Sequence, residues 1–346
     1  MKGESEMLDD PVELRKVLEA YKIVPRYVEP YGKVLKIYTP FGNYALKKYE
    51  RATRNPIDMI ETVSSLFQRG FQNIAPIFRG NQGEYLIENA EGFYYLMPWY
   101  EENGTSNQKY RYEQMFKQLS ILHHKTVDIQ SVDPQEIENY AEGLRAQLEF
   151  VKENLADELT RCEYKTYMSP SELFFCTTYF KTKQAIEFSQ TKLEEWEAWA
   201  KETKESRTVT NHGDLSLGHY VVDQTGRGYF INFEKSRTAS PVNDLLQVSH
   251  ELLQGLPLHN ETKWNWMINY FDHFEWSKGE RMLYMIHLSN PIDWLDLKME
   301  TSRIELSEMH KVGKMQQIYW KMLNTEYVVS KLLEIEAKQE EQIDAE

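Results

Sequence analysis

The sequence predicts an α+β protein of two lobes, a small antiparallel sheet followed by a larger, helix-rich lobe, and three observations carry that expectation. Short strand-like runs separated by turn residues recur between residues 23 and 97, interrupted by one helix. From residue 108 the apolar period becomes helical. Between helical segments lies Val209 to Glu234, VTNHGDLSLGHYVVDQTGRGYFINFE, in which two apolar runs, Tyr220 to Val222 and Gly228 to Phe233, flank the turn Asp223-Gln224-Thr225-Gly226.

That last stretch carries chemistry. His212-Gly213-Asp214 precedes the hairpin, His219 follows five residues after the aspartate, and Asn232 comes near the end of the second run. Phosphoryl transfer needs a carboxylate to orient the attacking hydroxyl and oxygen ligands to hold magnesium against the phosphates. In kinase catalytic loops a metal-binding Asn follows the base, and a metal-binding Asp lies on the next hairpin strand. Asp214 fills the first role; His219 stands where the Asn belongs and Asn232 where the metal Asp belongs. Metallophosphatases also use Gly-Asp and Asn-His clusters, but their further His and Asp motifs are missing from the sequence.

The stretch resembles the aminoglycoside phosphotransferase and choline kinase superfamily, whose loop reads H-G-D-x-x-x-x-N and whose metal strand reads I-D-W/F-E. His212-Gly213-Asp214-Leu215, Ile231-Asn232-Phe233-Glu234 and Pro241-Val242-Asn243-Asp244-Leu245 fall in that order. Within it the chain is most similar to the CotS-like group of bacterial endospore coat proteins, in particular its YutH-type members. The resemblance implies a protein-kinase-like fold of the aminoglycoside phosphotransferase type. It also implies synthesis in the mother cell cytoplasm, deposition in the spore coat, and other coat proteins as partners.

Composition bounds the rest. The 346 residues suffice for two cores. With Asp and Glu at 54 against Lys and Arg at 40, a net charge of −14 argues against nucleic acid or an anionic membrane as partner. Two cysteines, Cys162 and Cys176, cannot build a disulfide framework. No apolar run reaches membrane-spanning length, and the first residues lack a signal-peptide pattern. The 22 tyrosines serve either aromatic packing or an exposed surface suited to oxidative crosslinking in a coat.

Taken in order, residues 9 to 20 form a short helix with Val12, Leu14, Val17 and Leu18 on one face. Val34 to Tyr38 and Tyr44 to Leu46 flank the turn Thr39-Pro40-Phe41-Gly42-Asn43. Tyr44-Ala45-Leu46-Lys47 matches the kinase V-A-I-K strand, making Lys47 the candidate phosphate ligand. A phosphate-covering loop belongs near Glu29 to Lys33, where only Gly32 suits it. Pro56 to Arg69 reads as a helix whose apolar face is Ile57, Ile60, Val63, Leu66 and Phe67, with Glu61 as candidate brace for Lys47. Ile74 to Phe78, Tyr85 to Ile87 and Phe93 to Met97 complete the sheet. Met97 and Trp99 then fall where a kinase hinge meets adenine.

The lobe boundary is drawn at 103, giving an N-terminal lobe 1–103, a helical lobe 104–333 and an acidic, frayed tail 334–346. The helical lobe contains an insertion, 131–207, that in the resembling kinases helps bind the acceptor. Asp244, at the head of a later helix, is expected to cap or brace the catalytic loop. Replacing the metal aspartate by Asn232 removes its charge, and His219 offers nitrogen, a poorer ligand for magnesium. Glu234 is the residue that could compensate. Two functions stay open: a degenerate kinase with weak or absent ATP and magnesium binding and a structural or assembly role in the coat, or an active small-molecule or protein phosphotransferase with Asp214 as base.

Overall fold

A computed structural model of the chain describes residues 11–49, 55–89, 92–101 and 107–345. The connection Glu102-Asn103-Gly104, with the boundary drawn there, lies outside them.

Along the chain run α1 (Pro11–Ala20), β1 (Tyr27–Tyr31), β2 (Val34–Thr39), β3 (Gly42–Tyr49), α2 (Pro56–Gln68), β4 (Ile87–Asn89) and β5 (Gly92–Pro98). There follow α3 (Gln108–Thr126), β6 (Asp128–Ser131), α4 (Pro134–Glu163), α5 (Pro170–Thr203) and β7 (Glu205–Asn211). The hairpin β8 (Tyr220–Val222) and β9 (Gly228–Phe230) precedes β10 (Arg237–Ala239), α6 (Val242–Leu252), α7 (Asn260–Phe271), α8 (Lys278–Ser289), α9 (Asp293–Arg303) and α10 (Glu308–Ala345). The chain divides into two compact units, one made of residues up to Val127 with Val209–Ala239, the other of Asp128–Thr208 with Ser240 onward. The stretch Val209–Ala239 therefore groups with the small sheet, a grouping that the linear boundary at 103 does not give.

In the first unit five strands pair antiparallel in the order β1-β2-β3-β5-β4. The β1–β2 turn has two residues, Gly32 and Lys33, with Gly32 at φ +58, so the expected phosphate-covering loop is a tight hairpin of the kind that needs glycine first. Because side chains alternate along a strand, the register sorts the sheet into two faces. Leu35, Ile37, Leu46, Tyr94 and Leu96 pack with Val17, Leu18 and Tyr21 of α1 into one core. The opposite face carries Lys36, Ala45, Lys47, Tyr95 and Met97.

Three expectations shift here. Ile74–Phe78 is not a strand: Ile74 makes a single parallel bridge to Phe230 and Ala75 N–H donates to Phe230 O at 2.9 Å, tying its start to the β8–β9 hairpin, while Phe78 N–H at its far end donates to Leu96 O of β5 at 2.8 Å. The strand expected at Tyr85–Ile87 sits at Ile87–Asn89. In α2 the buried stripe is Met59, Val63 and Leu66, while Ile57 is 54% exposed; the helix is turned from the face its isoleucines suggest.

In the second unit α4 and α5 form a long antiparallel pair. Ser169 opens α5 with a reciprocal capping box to Glu172. Val151, Leu155, Phe175 and Ile186 of this pair meet Trp294 and Leu295 of α9, a helix the periodicity did not reveal. α10 continues through Ala345, so the acidic end extends a helix where fraying was expected. Among the described residues no helix is long and apolar enough to cross a membrane.

Candidate phosphotransfer site

The H-G-D loop follows β7, and its glycine is dictated by space. Gly213 has φ +80, and a Cβ there would sit 2.0 Å from Lys235 O, so the loop closes against the later turn only without a side chain. His212 is fully buried. Its Nε2 donates to Ile231 O at 2.7 Å, and its Nδ1 accepts from Asp214 N–H at 3.3 Å. Its ring packs on Phe233 at 4.7 Å. With Nδ1 accepting, the imidazole is neutral and both nitrogens are engaged. The H-G-D motif puts His212 among the candidate catalytic residues, and its ring ties the loop to the backbone just beyond β9.

Asp214 stands at the surface, 44% exposed, and Lys235 Nζ donates to its Oδ2 at 2.9 Å. Partial burial pulls the carboxyl up, but the hydrogen bond and charge of Lys235 outweigh it and hold the pKa below the ordinary aspartate value. His219, in the short turn Leu217–His219, donates from Nδ1 to Asp214 O at 2.6 Å and stacks on His212. Its Nε2 is left as a lone-pair nitrogen.

β9 ends at Phe230, sooner than expected, and Asn232 lies beyond it in the left-handed region at φ 66. Asparagine tolerates that conformation better than most residues. Its Oδ1 accepts from Lys47 Nζ at 2.9 Å. Glu234 Oε1 lies 3.0 Å from Lys47 Nζ and accepts from Tyr95 OH at 2.8 Å. Burial, with Glu234 beside it, pushes the Tyr95 phenol far up, so it serves as donor. Lys47 is thus pinned on the inner face of β3 by two residues just beyond the β8–β9 hairpin, and Tyr95 is its cross-strand neighbour.

The structure therefore brings Lys47, Asn232, Glu234, His212, His219 and Asp214 into one unit. Glu61 does not join them. It lies about 200° around α2 from Met59, on the exposed face, and Glu234 holds the lysine in its place. Met97 is buried on the Lys47 face, and the Trp99 N–H, expected to meet a base, donates to Asn43 O at 2.9 Å. Asp244 belongs to the second unit, fully buried in the first turn of α6. Sequence reasoning missed Tyr95 and Lys235. A register for β3 against β5 would have found the first; a lysine after an acidic strand is ordinarily a solvated charge, so nothing signalled the second.

The donors do not fit a magnesium ion as they stand. Asn232 is neutral, His219 offers nitrogen, and Glu234 is engaged by an ammonium and a phenol, whereas this ion favours free anionic oxygen in octahedral geometry. Among the described residues no group of three or more His, Cys, Asp or Glu is arranged to hold a metal.

No family model and no curated relative matches the chain. Among solved structures, an aminoglycoside phosphotransferase from Alicyclobacillus acidocaldarius is similar over 92% of this chain and 95% of its own, with TM-score 0.72 and 13% identity. The chain has the aminoglycoside-phosphotransferase type of kinase-like fold. A spectinomycin phosphotransferase crystallised with AMP (TM-score 0.55, 11% identity, 92% and 97% covered) and a microcompartment-associated aminopropanol kinase (TM-score 0.53, 11% identity, 93% and 98% covered) share it. At such identity the likeness fixes the fold and leaves the reaction to the site.

Proposed function

We propose that this kinase-fold protein is degenerate, with impaired or absent phosphoryl transfer, and that it acts as a structural or assembly component of the bacterial endospore coat. The observation that carries the first part is that both oxygen donors at the metal position, Asn232 and Glu234, are turned onto Lys47. Asn232 and Glu234 both serve Lys47, His219 serves the Asp214 carbonyl, and Asp214 itself is paired with Lys235. Each carboxylate in the cluster is matched by a lysine, which leaves no negative charge to attract a divalent ion against polyphosphate. Loss of one preorganised electrostatic contact costs on the order of 10² to 10³ in rate, and here two metal anchors are substituted. The coat location rests on the similarity of the H-G-D, I-N-F-E and P-V-N-D-L motifs to CotS-like proteins. The exposed tyrosines Tyr164 and Tyr167 suit a crosslinked coat.

A second reading, an active ATP-dependent phosphotransferase, is favoured by one observation: Asp214 is present, half-exposed and held ionised. One experiment separates the two. Purified full-length chain is incubated with labelled ATP and magnesium, with small alcohols, amines and its own side chains as acceptors. The proposal expects no transfer above an Asp214→Ala control, and transfer abolished by that substitution overturns it. The coat assignment fails if a tagged copy in a sporulating host fractionates away from the coat.

A further inference from the structure

The sheet face that bears Lys47 is buried along its length. Lys36, Ala45, Lys47, Tyr95 and Met97 all lie on it, and the most open of them, Lys36, is 9% exposed. Ala45 pairs with Lys36 on one side and Met97 on the other, one row from Lys47 and about 7 Å along the strand. A nucleotide with phosphates at Lys47 and base toward Trp99 would have to lie across that row.

The row is already filled. Lys36 Nζ lies 4.7 Å from the centroid of the Tyr38 ring and 4.7 Å from that of Trp99, the arrangement in which an aromatic face attracts a cation. Glu101 Oε1 closes on it at 2.6 Å and accepts from Asn43 Nδ2 at 2.9 Å. Tyr31 packs edge-on against Trp99 at 5.1 Å. Glu29 shares the row and accepts from the Tyr38 hydroxyl at 2.7 Å. Burial opposes the Lys36 charge, but Glu101 outweighs it and the ammonium stays protonated.

We propose that Lys36 is an internal plug whose side chain, held by Glu101 between Tyr38 and Trp99, occupies the nucleobase end of the site and keeps purine nucleotides out. A buried ammonium needs a carboxylate in any case, but here two aromatic rings enclose it as well, at the end of the sheet face where a base would lie. The carboxylate, the two rings and the Trp99–Asn43 hydrogen bond together use the donors and apolar surface that a base would take. This rests on the kinase-like reading of the site, and it predicts weak nucleotide binding by a route separate from the metal donors.

The test uses the full chain, fluorescent methylanthraniloyl ADP and ATP as probes, and EDTA to remove metal dependence. The parent protein is expected to show no saturable binding into the millimolar range, and Lys36→Val to bind at least about tenfold more tightly. Glu101→Gln, which loosens the plug without altering the buried strand, should move affinity the same way by less; it carries the test if the valine variant does not fold. Folded variants with no gain overturn the proposal. So does a parent protein that binds as tightly as Lys36→Val; if it still transfers no phosphate, only the plug falls and the degenerate reading stands. Transfer by the parent protein would sink both.

Discussion

Replacing Glu234 by Gln tests which acid holds Lys47. The Glu234 side chain is 12% exposed and the Lys47 side chain 9%, with 3.0 Å between ammonium and carboxylate. Removing one partner of such a buried pair leaves an uncompensated charge and costs about 3 to 5 kcal/mol. Glutamine retains an oxygen for Tyr95 OH, so the expected loss sits at the low end, about 3 kcal/mol. Because the chain has two compact units, a single melting midpoint is a poor measure. Hydrogen exchange of the β3 and β5 amides reads the local opening energy, and 3 kcal/mol appears there as exchange faster by about a hundredfold or more. Glu61→Gln, on the exposed face of α2, should stay within about 0.5 kcal/mol of the parent protein. Lys47→Met combined with Glu234→Gln should recover much of the loss, since the stranded charge is gone. Exchange in Glu234→Gln equal to that of the parent, or matched by Glu61→Gln, would refute the placement of the brace.

Other perturbations follow from the same geometry. Gly213→Ala forces a Cβ against Lys235 O at a left-handed position; overpacking of about 1 to 3 kcal/mol plus about 1 to 2 for the backbone should appear as a lowered urea midpoint. Lys235→Met should let the Asp214 pKa rise toward 3.8, read by carbon NMR of the carboxyl. Since the folded pKa is the depressed one, the contribution is present above the unfolded value and lost as pH falls through the folded one, and at these exposures it is within about 1 kcal/mol. His250 is held down to about 4 from 6.5, by burial first and the Lys321 charge second, and its Nδ1 finds no hydrogen-bond partner among the described residues. The unfolded chain takes that proton first, so stability should fall as pH drops from 6.5 toward 4, by at most about 1.4 kcal/mol per pH unit. His250→Leu should flatten that limb of a pH-dependent urea titration, and an unchanged slope would clear His250 of the effect.

What the sequence determined by itself was local: the H-G-D turn with its obligatory glycine, the hairpin after it, the β2–β3 pair ending in Lys47, the capped helices, and the substitution of the metal aspartate by Asn232. Each follows from turn chemistry, alternation or period within a few residues. Tertiary structure decided which distant groups meet. Helical period alone does not say how α2 is rotated, and Ile57 points away from the stripe that is buried, so Glu61 faces solvent and the lysine finds Glu234, 187 positions later. Lys235 and Lys36 read as solvated charges until the fold sets carboxylates 2.9 Å and 2.6 Å from them. Pairings across such separations depend on strand register and on the left-handed turn at Asn232, quantities that no short window of residues encodes.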